Sequence, residues 1–113
     1  EGIAAVARTH EGVALAGDRQ IRYRQELAKG QSIASDLLGF GSDRNDYDFR
    51  IENHRTGAGV RILGDRPLER LYYWSIRTTL CPEPYIRLKV NPGKTVRFQI
   101  RYQFYTLPVG SSR

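Results

Sequence analysis

The sequence predicts an all-β domain, an antiparallel β-sandwich or part of a larger supersandwich. Three observations carry this. Several segments alternate apolar and polar residues with the period of a strand. Turn-forming residues recur about every eight to twelve positions. No segment shows a convincing helical period.

Segments 3–8 and 12–16, set around Gly12 and Gly17-Asp18, are expected to form a small opening hairpin. In "RQIRYRQEL", Ile21 and Tyr23 alternate with Arg22 and Arg24, giving the next strand. "SIASDLLGFG" admits two readings: Ser32 is placed to cap a short helix, whereas Ile33, Leu37 and Leu38 suit an edge strand. The strand is preferred. "YDFRIEN" alternates through Tyr47, Phe49 and Ile51, and "GAGVRILGDRP" gives a short strand at 58–63 closed by Gly-Asp. The aromatic and β-branched run "ERLYYWSIRTT", 69–79, follows.

Ile86, Leu88 and Val90 then alternate with Arg87 and Lys89, while Val96, Phe98, Ile100, Tyr102 and Phe104 alternate with Arg97, Gln99, Arg101 and Gln103. The link is "NPGK". Pro presets φ at the second turn position and Gly supplies positive φ at the third. Residues 85–104 are therefore expected to be a β-hairpin, followed by a frayed tail at 109–113.

A chain of 113 residues accommodates one domain, 1–113, and two will not fit. Glu1 and the lack of any Met leave two expectations open, a processed chain or a C-terminal fragment of a longer one. No apolar run is long enough to cross a bilayer, and residues 1–20 lack the apolar block of a signal peptide. Membrane attachment is not expected, and the compartment stays open with a lean to the cytoplasm. Cys81 is the single cysteine, so no internal disulfide forms. His10 and His54 have no ligand-like spacing, so neither metal nor cofactor is expected. Asp43, Asp46 and Asp48 read as a turn, because Arg44 interrupts them and the glycine and terminal glutamate of a calcium loop are missing. The net charge of +6 favours anionic partners without specifying one.

Glu83 lies between Pro82 and Pro84, which restrict the backbone on both sides. It reads either as a fixed carboxylate beside a cleft or as an exposed residue at a proline-rich strand entry. Trp74, with Tyr72, Tyr73 and Tyr85, reads either as a sugar-stacking platform or as core. Alternation puts Tyr72 and Trp74 on one face and Tyr73 on the other, and Trp74 is expected in the core. Arg87, Lys89, Arg97 and Arg101 share one side of the expected hairpin. A solvated face is the preferred reading, and a grip on phosphate is the alternative.

The text "LCPEPYIRLKVNPGKTVRFQIRYQFY" resembles the C-terminal end of the galactose mutarotase-like superfamily, which includes aldose 1-epimerases and hexose-6-phosphate epimerases. "IENHRTGAGVRILGDRPLERLYYW" resembles the strands before it, and together they span about residues 47–105. The resemblance implies part of a mutarotase-like supersandwich, with Glu83 as the base that takes the anomeric proton and Trp74, Arg77 and Tyr85 as sugar contacts. It also implies a histidine acid that protonates the ring oxygen. His54 matches no catalytic position, and one-domain sandwich enzymes commonly run to about 200–250 residues.

The expected function is a carbohydrate- or sugar-phosphate-binding domain, a remnant or half of an epimerase, and not an active isomerase as an isolated chain. The alternative is a non-catalytic assembly module, in either case a homo-oligomer. Third comes nucleic-acid binding, prompted by aromatics interleaved with Arg on strands, although "FQIRYQFY" lacks a ribonucleoprotein motif.

Overall fold

The computed structural model describes residues 4–5, 14–17, 20–23 and 25–108. Among them the chain is all-β and antiparallel, with nine strands and one 3-10 turn. The strands are β1 (Ala4–Ala5), β2 (Ala14–Gly17), β3 (Gln20–Tyr23), β4 (Ile33–Leu38), β5 (Asp48–Asn53), β6 (Ala58–Gly64), β7 (Arg70–Ile76), β8 (Thr79–Tyr85) and β9 (Ile100–Thr106). They form a four-stranded sheet in the order β1-β4-β7-β8, a three-stranded sheet β5-β6-β9 and the pair β2-β3. No described helix is long and apolar enough to cross a membrane.

The core lies on the inner face of the four-stranded sheet. Ile33 and Leu37 of β4 register against Ser75 and Leu71 of β7, and together with Tyr73 and Leu27 they are buried. Ile21 and Tyr23 of β3, Leu80 of β8 and Phe49 of β5 pack against this cluster, so it is the cover over one sheet that makes the molecule sandwich-like. Tyr73 is a core residue with a polar tip. Its hydroxyl meets that of Tyr23 at 2.6 Å, and burial, followed by that hydrogen bond, holds its ionisation far above the usual phenol range.

Two glycines are required by close approach. A side chain at Gly64 would collide with the ring of Tyr47, and one at Gly59 with the ring of Tyr105. Each tyrosine therefore lies flat across a strand that has no Cβ at that point. Tyr47 also stacks on Phe49 with 6.1 Å between centroids, which ties the start of β5 to β6.

Four expectations are corrected. The strand over "SIASDLLGFG" forms, but the opening hairpin is different: β2 pairs with β3 and β1 pairs with β4, while residues 6–13 lie outside the described residues. The run 69–79 is divided by a turn at Arg77-Thr78, and Thr79 already belongs to β8, so Glu83 lies within a strand rather than at a strand entry. Trp74 is not core. Leu71, Tyr73 and Ser75 take the inner face of β7, leaving Trp74 half-buried on the outer one.

The largest correction concerns 85–104. The "NPGK" turn forms, with Lys94 N–H donating to the Asn91 carbonyl at 3.0 Å and Gly93 at φ +76°. Its two limbs do not pair. Gln99 and Arg97 bind the link after β6, through Asp65 N–H to the Gln99 carbonyl (3.2 Å), Gln99 N–H to the Asp65 carboxylate (3.0 Å) and the Arg66 guanidinium to the Arg97 carbonyl (2.6 Å). Arg87 pairs instead with Glu69 at 2.8 Å. β9 then runs along β6, where Val60 and Ile62 face Phe104 and Tyr102. An alternating strand needs an apolar row beside it, and Val60 and Ile62 of β6 supply one. Arg87, Lys89, Arg97 and Arg101 consequently form no common face. The tail at 109–113 lies outside the described residues.

Candidate ligand-binding face

β4, β7 and β8 carry a second, outer face opposite the core. Cross-strand partners share a face, so the register pairs Asp36–Tyr72, Ala34–Trp74, Trp74–Cys81, Tyr72–Glu83 and Arg70–Tyr85 assemble one surface. Three of the four candidates from the sequence, Glu83, Trp74 and Tyr85, stand on it. Tyr72, Arg70 and Asp36 complete it.

The position of β8 explains the two prolines. Pro82 and Pro84 lie opposite Tyr73 and Leu71 on the inner side, and β8 is an edge strand of its sheet. Proline is tolerated there because the missing N–H would face away from the ladder. The alternation Pro-Glu-Pro then turns the Glu83 side chain to the opposite, outer face. The Glu83 side chain is exposed and, among the described residues, has no hydrogen-bond or ion-pair partner.

The rest of the surface is braced. Arg70 donates to both carboxylate oxygens of Asp36, at 2.6 and 3.4 Å. Its guanidinium lies 5.1 Å from the Tyr72 centroid and 5.3 Å from that of Tyr85, within cation–π range of both rings. The hydrogen bond from Arg70 holds the Asp36 carboxyl below its usual range. This clamp orders one end of an aromatic row whose other end, Trp74, is half-exposed beside Cys81.

Arg77 stands apart. It sits in the β7–β8 turn and lines a shallow depression of about 230 Å³ with Lys29, Gly30, Gln31, Ser32, Ile76 and Thr78. Four residues of β8, Thr79 to Pro82, separate that turn from Glu83, roughly 16 Å from Thr78 to Glu83 at the rise of a strand, so Arg77 and Glu83 do not hold one sugar ring together. A second depression, of about 210 Å³, lies on the three-stranded sheet between Arg50, Arg61, Gln103 and Tyr105. Neither depression includes Glu83.

Two pairs brace the polar face of the three-stranded sheet. Arg61 donates to both oxygens of Asp48 at 2.9 and 2.6 Å, and this hydrogen bond lowers the Asp48 pKa. Tyr105 donates to Glu52 at 2.5 Å, and burial with that carboxylate raises its hydroxyl to about 12. His54, in the turn after β5, lies 3.1 Å from Glu52. No cluster of three or more His, Cys, Asp or Glu suited to a metal occurs among the described residues.

Sequence reading placed Tyr72 beside Trp74 but missed Arg70 and Asp36. Arg70 and Asp36 are 34 positions apart, and only the β4–β7 register joins them. In the comparisons with known proteins, no family model, no curated protein and no solved structure matched the chain.

Proposed function

We propose that this chain is a carbohydrate-binding β domain that uses the outer face of the four-stranded sheet. Trp74 and Tyr85 offer ring faces to the C–H surface of a sugar, and Glu83 accepts hydrogen bonds from its hydroxyls. The observation that carries the reading is the Glu83 carboxylate, without a partner among the described residues, set among Tyr72, Trp74 and Tyr85 on one exposed face. A charge-assisted hydrogen bond needs such an uncommitted acceptor, and the Asp36–Arg70 clamp holds the neighbouring rings before ligand arrives.

The proposal is binding rather than turnover. Anomeric proton exchange needs an acid and a base on opposite sides of the sugar. The described residues place no histidine on the face that carries Glu83, and an open surface does not exclude water.

Trp74 is the single tryptophan, so its fluorescence reports on this face alone. Titration with glucose, galactose, their 6-phosphates and short glucans is expected to give a saturable change with at least one of them. Glu83→Gln should weaken binding by about tenfold or more, the value of a hydrogen bond to a charged group. Trp74→Phe, followed by amide chemical shifts, should retain weakened binding. If no sugar perturbs the amides of β7 and β8, or if Glu83→Gln binds like the parent, the reading fails.

A further inference from the structure

In the three-stranded sheet the charged side chains all stand on one face, which also holds Leu63 and Tyr105, while Asn53 and Thr106 fall on the other. One face carries Asp48, Arg50, Glu52, Arg61, Arg101 and Gln103, while the other carries Phe49 and Ile51 of β5, Val60 and Ile62 of β6, and Ile100, Tyr102 and Phe104 of β9. Phe49 reaches the core, so the β5 side of the apolar face is covered. The β9 side is bare: Phe104 is 80% exposed and Tyr102 55%, with Ile100 and the preceding Phe98 also exposed. Among the described residues of the three strands, no ionised group stands on this face.

We infer that a second copy of this chain packs on the apolar face of the three-stranded sheet, β9 against β9 about a two-fold axis, to complete a sandwich between the copies. The area fits. Taking aromatic side chains at roughly 150–250 Å² each, the exposed fractions leave on the order of 400 Å² of apolar surface per copy around β9. Two copies bury about 800 Å², the apolar share of a standard interface of roughly 1,200–2,000 Å² that is about 60% non-polar. The charge distribution fits as well. Each chain carries +6, yet a two-fold contact places the same patch on both sides, and here that patch brings no like charges together. The row is self-complementary in shape chemistry, aromatic against aromatic across sheets spaced about 10 Å apart.

This interface lies on a different sheet from the proposed sugar face, so either proposal can fail alone. The test is sedimentation equilibrium of the 113-residue chain over a wide concentration range, with far-UV circular dichroism of each variant. The parent is expected at twice 12.9 kDa. Phe104→Lys, which places a charge on the apolar face, should raise the dimer dissociation constant about tenfold or more. Gln103→Lys places the same charge on the opposite face of the same strand and should leave the dimer unchanged. Phe104→Ser serves if the lysine variant loses its strand signal. A parent that stays monomeric at every concentration overturns the inference. So does equal weakening by Gln103→Lys and Phe104→Lys, which would show that a face is not being read.

Discussion

The four-stranded and three-stranded sheets are built from the same alternating pattern and end in opposite states. In the first, Ile33, Leu37, Leu71 and Tyr73 vanish under β3, Leu27 and Phe49. In the second, Tyr102 and Phe104 continue an equally apolar row into solvent. Their outer edges differ too. β8 carries Pro82 and Pro84, which deny a new strand two N–H donors. β9 has no proline. The bonds from Asp65 N–H to Gln99 and from Leu107 N–H to Gly57 turn the odd-numbered peptide groups of β9 toward β6, so those of Ile100, Tyr102, Phe104 and Thr106 face outward. One sheet is finished on its face and blunted at its β8 edge, and the other is open at both. Period-two alternation reports that a face is apolar, and only the three-dimensional arrangement reports whether anything covers it.

The sharpest way to break this contrast is to truncate one residue in each sheet. Leu71 is 1% exposed, and Leu71→Ala should cost about 2–5 kcal/mol, from lost transfer energy and the cavity left behind. Phe104→Ala, measured at a dilution where the chain is monomeric, should change stability by less than about 0.5 kcal/mol, as surface substitutions usually do. Urea denaturation distinguishes them. Comparable losses would mean that Phe104 is covered within the single chain and that the two sheets are alike.

A smaller effect probes how β5 and β6 are locked together. Gly64→Ala puts a methyl into the ring of Tyr47, which is 2% exposed and cannot simply swing into solvent. Overpacking of this kind costs typically about 1–3 kcal/mol. The expected signature is a lower urea midpoint with a loss of near-UV dichroism from the displaced tyrosine. An unchanged near-UV spectrum would show that the ring does not lie across Gly64.

The local elements were legible wherever alternation and a turn residue coincided, as in "YDFRIEN", "GAGVRILGD" and the Asn91-Pro92-Gly93-Lys94 turn. Pairing was not legible. The sequence around 85–104 describes two strand-patterned limbs and a good turn, and adjacency made a hairpin the natural expectation. The hydrogen bonds of Asp65 and Arg66, more than 30 positions away, hold the second limb elsewhere. Trp74 shows the same boundary. Alternation correctly separated it from Tyr73, but it does not say which of two aromatic-rich faces turns inward. That is decided by Leu71 and Ser75, the same-parity neighbours of Tyr73, which meet Leu37 and Ile33 on β4. At the candidate site the residue types at 74, 83 and 85 were readable, whereas the Asp36–Arg70 clamp depends on strand register alone.

The mildest perturbation, acid, should sharpen the comparison through one ion pair on each sheet. Asp36 with Arg70 and Asp48 with Arg61 both have carboxyls held below their ordinary range by the hydrogen bond from arginine. A depressed folded pKa means that the unfolded chain takes up the proton first. The stabilisation is therefore complete above the ordinary carboxylate pKa, near 4, and is lost as pH falls through the lower folded value. Both pairs are partly exposed, so the loss should be shallow and should shrink further with added salt. Asp48→Asn is expected to remove part of the acid slope in urea midpoints below pH 4 and to leave the Trp74 face unchanged. Asp36→Asn should remove a similar part and also release Arg70 from its place over Tyr72 and Tyr85, weakening sugar binding already at neutral pH. If Asp36→Asn alters the acid slope but not the affinity, the clamp supports only the sheet, and the aromatic row is ordered without it.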